Sequence, residues 1–126
     1  MKTPRKVELH KKSKVLELVY GDGTFRLPAE YLRVYSPSAE VKGHGPRQET
    51  LQSGKQKVGI EGLETAGNYA IRIVFDDGHD SGIYSWDYLY DLGNKQEEYW
   101  RDYLRRLNEA GKSRDPDTGV VKFVSP

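Results

Sequence analysis

The chain has 126 residues, with 20 basic and 19 acidic side chains and a formal net charge of +1. That is enough for one domain with a modest core, and it gives no broad field for drawing in nucleic acid or an anionic membrane. Cysteine is absent, which excludes a disulfide framework, a thiolate metal or redox centre and a cysteine-held iron–sulfur cluster. No apolar run approaches the roughly 20 residues of a membrane-spanning helix, and Met1-Lys2-Thr3-Pro4 lacks the apolar core of a signal peptide, so a soluble cytoplasmic protein is expected.

In chain order, Lys6–His10 and Val15–Tyr20 alternate apolar and polar side chains, with Val7, Leu9, Leu16 and Leu18 pointing one way in their strands. The basic cluster of Lys2, Arg5, Lys6, Lys11, Lys12 and Lys14 is expected to guard an edge strand rather than bind phosphate. His10 falls on a strand surface. Gly21-Asp22-Gly23 predicts a tight hairpin turn that uses positive φ, followed by a return strand over residues 24–27. Pro28 then opens a helix of about two turns, with Tyr31, Leu32 and Tyr35 on one side, and Ser36-Pro37 closes it. From Ser36 to Gln56 the composition turns to Ser, Pro, Gly, Lys and Gln, which predicts a long irregular excursion of the kind that is functional or mobile.

Strand character resumes at Val58 and Ile60 and continues through Leu63 to a turn at Gly67-Asn68. The strongest strand, Tyr69–Phe75, is expected at the centre of a sheet. Asp76-Asp77-Gly78 leads into a strand near residues 81–84. Ser85 can cap a helix over Trp86–Leu92 closed by Gly93, and Asn94 with Glu97 fits a capping box for a second helix over Lys95–Ala110. Tyr99, Trp100, Tyr103, Leu104 and Leu107 form the apolar stripe of that helix. Residues 1–111 therefore form one α+β domain: a small, mainly antiparallel sheet of about six strands with helices at 28–35, 86–92 and 95–110. Residues 112–126 are expected as a mobile tail, in which Val120-Val121-Lys122-Phe123-Val124 could add a strand to an edge.

The two halves share a plan. At an offset of fifty-five positions, Leu16–Gly23 lies over Ile71–Gly78, and after a two-residue insertion Glu30-Tyr31-Leu32 falls on Asp87-Tyr88-Leu89. Duplication of a hairpin-plus-helix unit and chance recurrence of strand, Asp-Gly and helix both account for this.

Candidate chemistry is sparse. His79 between Asp77 and Asp80 suits a metal ligand or general base, although Asp-Gly-His-Asp is also ordinary hairpin-turn chemistry. His79 with His44 or Asp80 is the candidate set for a labile iron or zinc ion. No nucleophile elbow, phosphate loop, paired zinc motif or dinucleotide fingerprint occurs, and the neighbours of Ser81 and Ser85 match no nucleophile context, so no catalysis is expected. The other conspicuous supply is aromatic: nine Tyr, two Trp and three Phe. Most should be core, and Trp86, Tyr90, Tyr99 and Trp100, with His44 on its loop, are candidates for a partner patch.

Asp22-Gly23-Thr24, Leu27-Pro28-Ala29-Glu30-Tyr31-Leu32-Arg33, Gly59-Ile60-Glu61-Gly62-Leu63, Asp77-Gly78-His79-Asp80-Ser81 and Trp86-Asp87-Tyr88-Leu89 together resemble the gamma-butyrobetaine hydroxylase-like N-terminal domain family over roughly residues 6–93. The resemblance implies a domain that precedes an iron- and 2-oxoglutarate-dependent barrel in the hydroxylases without being the catalyst, that is attached to iron–sulfur carrier ATPases in other members, or that stands alone in bacteria with no known role. It also implies a zinc site of three cysteines and one histidine, at positions that are Ser36, Ser38, Val41 and His79 in this chain. Three of the four donors are missing, and a serine hydroxyl is too weakly acidic to replace thiolate. The expected function is a non-catalytic interaction or accessory module without a resident cofactor, a monomer or weak dimer with a protein partner and no nucleic acid or membrane. The alternative is an accessory domain handling iron or zinc.

Overall fold

The computed structural model describes residues 2–43 and 50–116; His44 and the strand expected over residues 120–124 lie outside them. The chain runs β1 (Lys6–His10), β2 (Val15–Tyr20), β3 (Gly23–Pro28), α1 (Ala29–Val34), α2 (Ala39–Lys42), β4 (Ile60–Thr65), β5 (Ala70–Phe75), β6 (Ile83–Ser85), α3 (Trp86–Asn94) and α4 (Gln96–Glu109). The six expected strands are present, but as two three-stranded antiparallel meanders, β1-β2-β3 and β4-β5-β6, rather than one sheet. Alternation along a strand tells which face is apolar and nothing about which sheet the strand joins. β5 is central in its sheet, as its composition predicts, and β1 is an edge, as its lysines suggest.

Each meander ends in a helix, so the architecture repeats strand, strand, strand, helix. Both helices start where the sequence places them. Pro28, with extended backbone, precedes α1, and the Ser85 hydroxyl accepts the Tyr88 amide hydrogen at 3.0 Å to cap α3. Leu16 and Leu18 of β2, Ile71, Ile73 and Phe75 of β5, Tyr31 and Leu32 of α1, and Leu89 and Leu92 of α3 share one buried cluster. Both sheets therefore feed a common core.

Four local expectations are corrected. Neither glycine of Gly21-Asp22-Gly23 has positive φ; the corresponding turn of the other half does, at Gly78 (φ 89), and the β1–β2 turn places Lys14 there (φ 58). Gly93 does not end α3, which continues to Asn94; it lacks the positive φ of a helix-ending glycine, and the ring of Phe25 occupies the space a Cβ would need. Asn94 makes no capping box: Lys95 is the N-cap of α4 and no side chain caps it. α1, expected to be amphipathic, is buried on every side, including Glu30 and Arg33. Among its described residues the 36–56 stretch carries one helical turn, α2. Of the tail, residues 112–116 are tied back, with the Gly54 and Gln56 amides donating to the Ser113 and Arg114 carbonyls at 2.9 and 3.1 Å.

Candidate functional site

Two places in the fold collect side chains that chemistry could use. The first lies where the two halves meet. Asp77 and Gly78 make the β5–β6 turn as an Asx turn, the Asp77 carboxylate accepting the His79 amide hydrogen at 3.1 Å, and this aims His79 inward, where it is only 6% exposed. Its Nε2 lies 2.8 Å from the Ser36 hydroxyl and 3.4 Å from that of Ser38, both just past the end of α1. Its Nδ1 lies 3.2 Å from the Glu40 carboxylate on α2. The Ser38 amide donates to Ser36 Oγ at 3.3 Å, so Ser36 can give its own hydrogen to Nε2 and leave Nδ1–H for Glu40. Burial, and then the nearby Arg33 guanidinium, hold the imidazole below the usual histidine range; Glu40 and Asp77 oppose them. The neutral ring is favoured.

Arg33 is itself buried and fixed by Asp77 at 2.8 Å and Gln52 at 3.0 Å, with Lys55 completing the Asp77 pair at 2.9 Å. Burial alone would raise the Asp77 carboxyl, but the hydrogen bonds from Lys55, the His79 amide and Arg33, with the Arg33 charge, outweigh it and bring it down to about 2. Hydroxyl, imidazole and carboxylate in a row have the order of a nucleophile relay. Ser36, however, is 0% exposed, and Gly82 packs so closely that a Cβ there would lie 2.5 Å from Ser36 Oγ. A reacting carbon has no way to reach that oxygen.

The cluster brings together Ser36, Ser38 and His79, three of the four positions at which the resemblance places zinc ligands, and Val41 is buried on α2 beside them in sequence. One imidazole, two alcohols and an aliphatic side chain do not fit a structural zinc. Asp80 turns away to Arg72, at 3.2 Å. Among the described residues no three His, Cys, Asp or Glu side chains gather as a metal-holding group.

The second place is an open groove of about 940 Å³ between the start of α1 and the α3–α4 junction, lined by Pro28, Glu30, Tyr31, Trp100, Arg101 and Arg114 among others. Among the described residues, Trp100 is the one candidate partner-patch residue that lines it. Trp86 donates its indole hydrogen to the Asn68 carbonyl at 3.0 Å. Tyr90 bonds Asp22 at 2.5 Å and packs edge-on against Tyr20 and Phe25, and Tyr99 bonds Asp91 at 2.7 Å and stacks on Tyr35. Glu30 and Arg114, a pair that the sequence does not suggest, both line the groove. A separation of 84 positions leaves no local signal for such a pair.

Several solved structures resemble this one. A solution NMR structure is 55% identical, matches 99% of each chain and superposes with a TM-score of 0.83. A second NMR structure is 46% identical over 98% of this chain and 95% of the other, with a TM-score of 0.76. The crystal structure of a DUF971-family protein of unknown function from Acidithiobacillus ferrooxidans is 34% identical over 71% of this chain and 91% of its own, with a TM-score of 0.60. No curated protein matches. The family model for gamma-butyrobetaine hydroxylase-like N-terminal domains covers residues 7–90, a span that holds both meanders, α1 and the His79 cluster; the chain belongs to the gamma-butyrobetaine hydroxylase-like N-terminal domain family.

Proposed function

We propose that this chain is a non-catalytic protein-interaction module whose docking face is the groove between the start of α1 and the α3–α4 junction. The observation that carries the reading is the contrast between the two sites. The buried polar groups around His79 are consumed in mutual hydrogen bonds, whereas the groove offers Trp100 beside Tyr31, rimmed by charges of both signs including Lys95, Glu97 and Arg101. A flat aromatic in a concave, charge-rimmed surface is the usual anchor of a protein interface. The metal-handling alternative rests on His79, whose two nitrogens already have partners.

A photo-crosslinking side chain at Arg101, on the groove rim, should capture one cellular protein, and the same group at exposed Glu61 should not. The purified partner should then bind the chain one to one, with Trp100→Ala weakening it at least about tenfold, as expected for an aromatic anchor. Equal capture from both positions sinks the reading. A tightly held iron or zinc ion in the purified protein, lost in His79→Ala, would favour the metal-handling alternative instead.

A further inference from the structure

We propose that Glu30 and Trp100 form a recognition recess for an arginine side chain of the partner, closed in the free protein by the chain's own Arg114. This rests on the interaction reading and names the chemistry that the groove selects. The Glu30 side chain, in the first turn of α1, is only 8% exposed, and both its oxygens face the Arg114 guanidinium: Oε2 accepts from Nε at 2.8 Å and Oε1 from Nη2 at 2.7 Å. The same guanidinium lies over the Trp100 ring, 5.1 Å from its centre, and Trp100 is held in turn by Tyr31 and Tyr103. Carboxylate at the end and indole along the side make a box for a planar, forked cation; an ammonium can satisfy neither the two parallel bonds nor the stacking as well.

With Arg114 in place the groove is still open, lined also by Gly93 and Asn94. The Arg114 backbone lies outside the regular elements and is held from residues 54–56, which are likewise outside any regular element. The Arg114 side chain is 37% exposed. The recess itself is built on α1 and α4, two rigid helices, so the part that can leave is the occupant and not the wall. A tethered side chain competes at an effective concentration in the millimolar range, so a partner must present arginine together with contacts along the rest of the groove.

The test uses the full-length Arg114→Ala chain titrated with N-acetylargininamide and followed by two-dimensional NMR. Saturable shifts are expected at the Trp100 indole and around Glu30, with at least about fivefold weaker binding of N-acetyllysinamide, and no such response from the double variant Arg114→Ala/Glu30→Gln or from the wild type. If Arg114→Ala proves unstable, the same ligand should raise its melting temperature while the lysine compound does not, and Arg114→Lys should respond in the same way. A folded Arg114→Ala that ignores both compounds, or binds them equally, overturns the recess while leaving groove capture at Arg101 intact. Loss of that capture with arginine binding retained would instead remove the interaction reading. A wild-type chain that dimerises by exchanging Arg114 segments, seen as a concentration-dependent mass, would give the recess to a second copy and overturn the peptide assignment.

Discussion

Eight of the nine tyrosines donate their hydroxyl hydrogen to another part of the chain, six of them to backbone carbonyls. Several of these carbonyls belong to helix ends, where no intrahelical donor reaches: Tyr84 bonds Leu32 in the last turn of α1 at 2.5 Å, Tyr31 bonds Leu92 in the last turn of α3 at 2.7 Å, and Tyr88 bonds Tyr35, just past α1, at 2.6 Å. Burial pushes the Tyr20, Tyr31, Tyr84 and Tyr103 phenols up, Tyr103 to about 12, so these four remain donors throughout the physiological range. Tyr84→Phe, which strands a buried carbonyl while conserving the ring, should cost about 1–2 kcal/mol in urea unfolding. Tyr69→Phe, at a 58% exposed position, should leave the midpoint unchanged; equal effects from the two would refute the capping role. The sequence announced the supply of aromatics, but not their targets. Where a hydroxyl points depends on which helix end the fold carries past it.

At the scale of elements, starts were legible and ends were not. Pro28 and Ser85 act on the residues immediately after them, through fixed φ and a short side-chain bond, and both helices begin there. The end of α3 is not legible in the sequence because Gly93 packs against Phe25 on β3, a neighbour remote in sequence. Gly93→Ala would ordinarily favour a helix, but here the added methyl drives into the Phe25 ring, and thermal or urea unfolding should show a loss of about 1–3 kcal/mol from overpacking. Combining it with Phe25→Leu should recover part of the loss. A neutral or stabilising Gly93→Ala would show that α3 does not press on β3 as described. The α4 start went astray for the opposite reason: Asn94 is still inside α3, so it cannot serve as the cap of the next helix.

Across the whole molecule, the His79 cluster ties the second meander to the segment following α1, so its protonation acts on the junction of the halves. The groups facing the ring are Ser36, Ser38, Glu40, Arg33 and Asp77. Because the folded histidine takes up its proton less readily than an unfolded one, the unfolded chain binds it first as pH falls below about 6.5. The stability this group contributes is therefore present above that pH and lost on acidification until the folded ring also titrates. Melting temperatures between pH 7.5 and 5 should fall for the wild type more than for His79→Gln; a wild type that gains stability over that range would contradict the neutral, buried ring. The repeated plan and the six strands came from local alternation, turn residues and spacing, which act within a few positions and so can be read in order. Partition of the strands into two sheets, the inward turn of His79 onto Ser36 and Ser38, and the closure of Arg114 on Glu30 were decided by the tertiary structure alone. The last two join groups at least 40 positions apart, and their meeting depends on how the shared apolar core packs the two halves together.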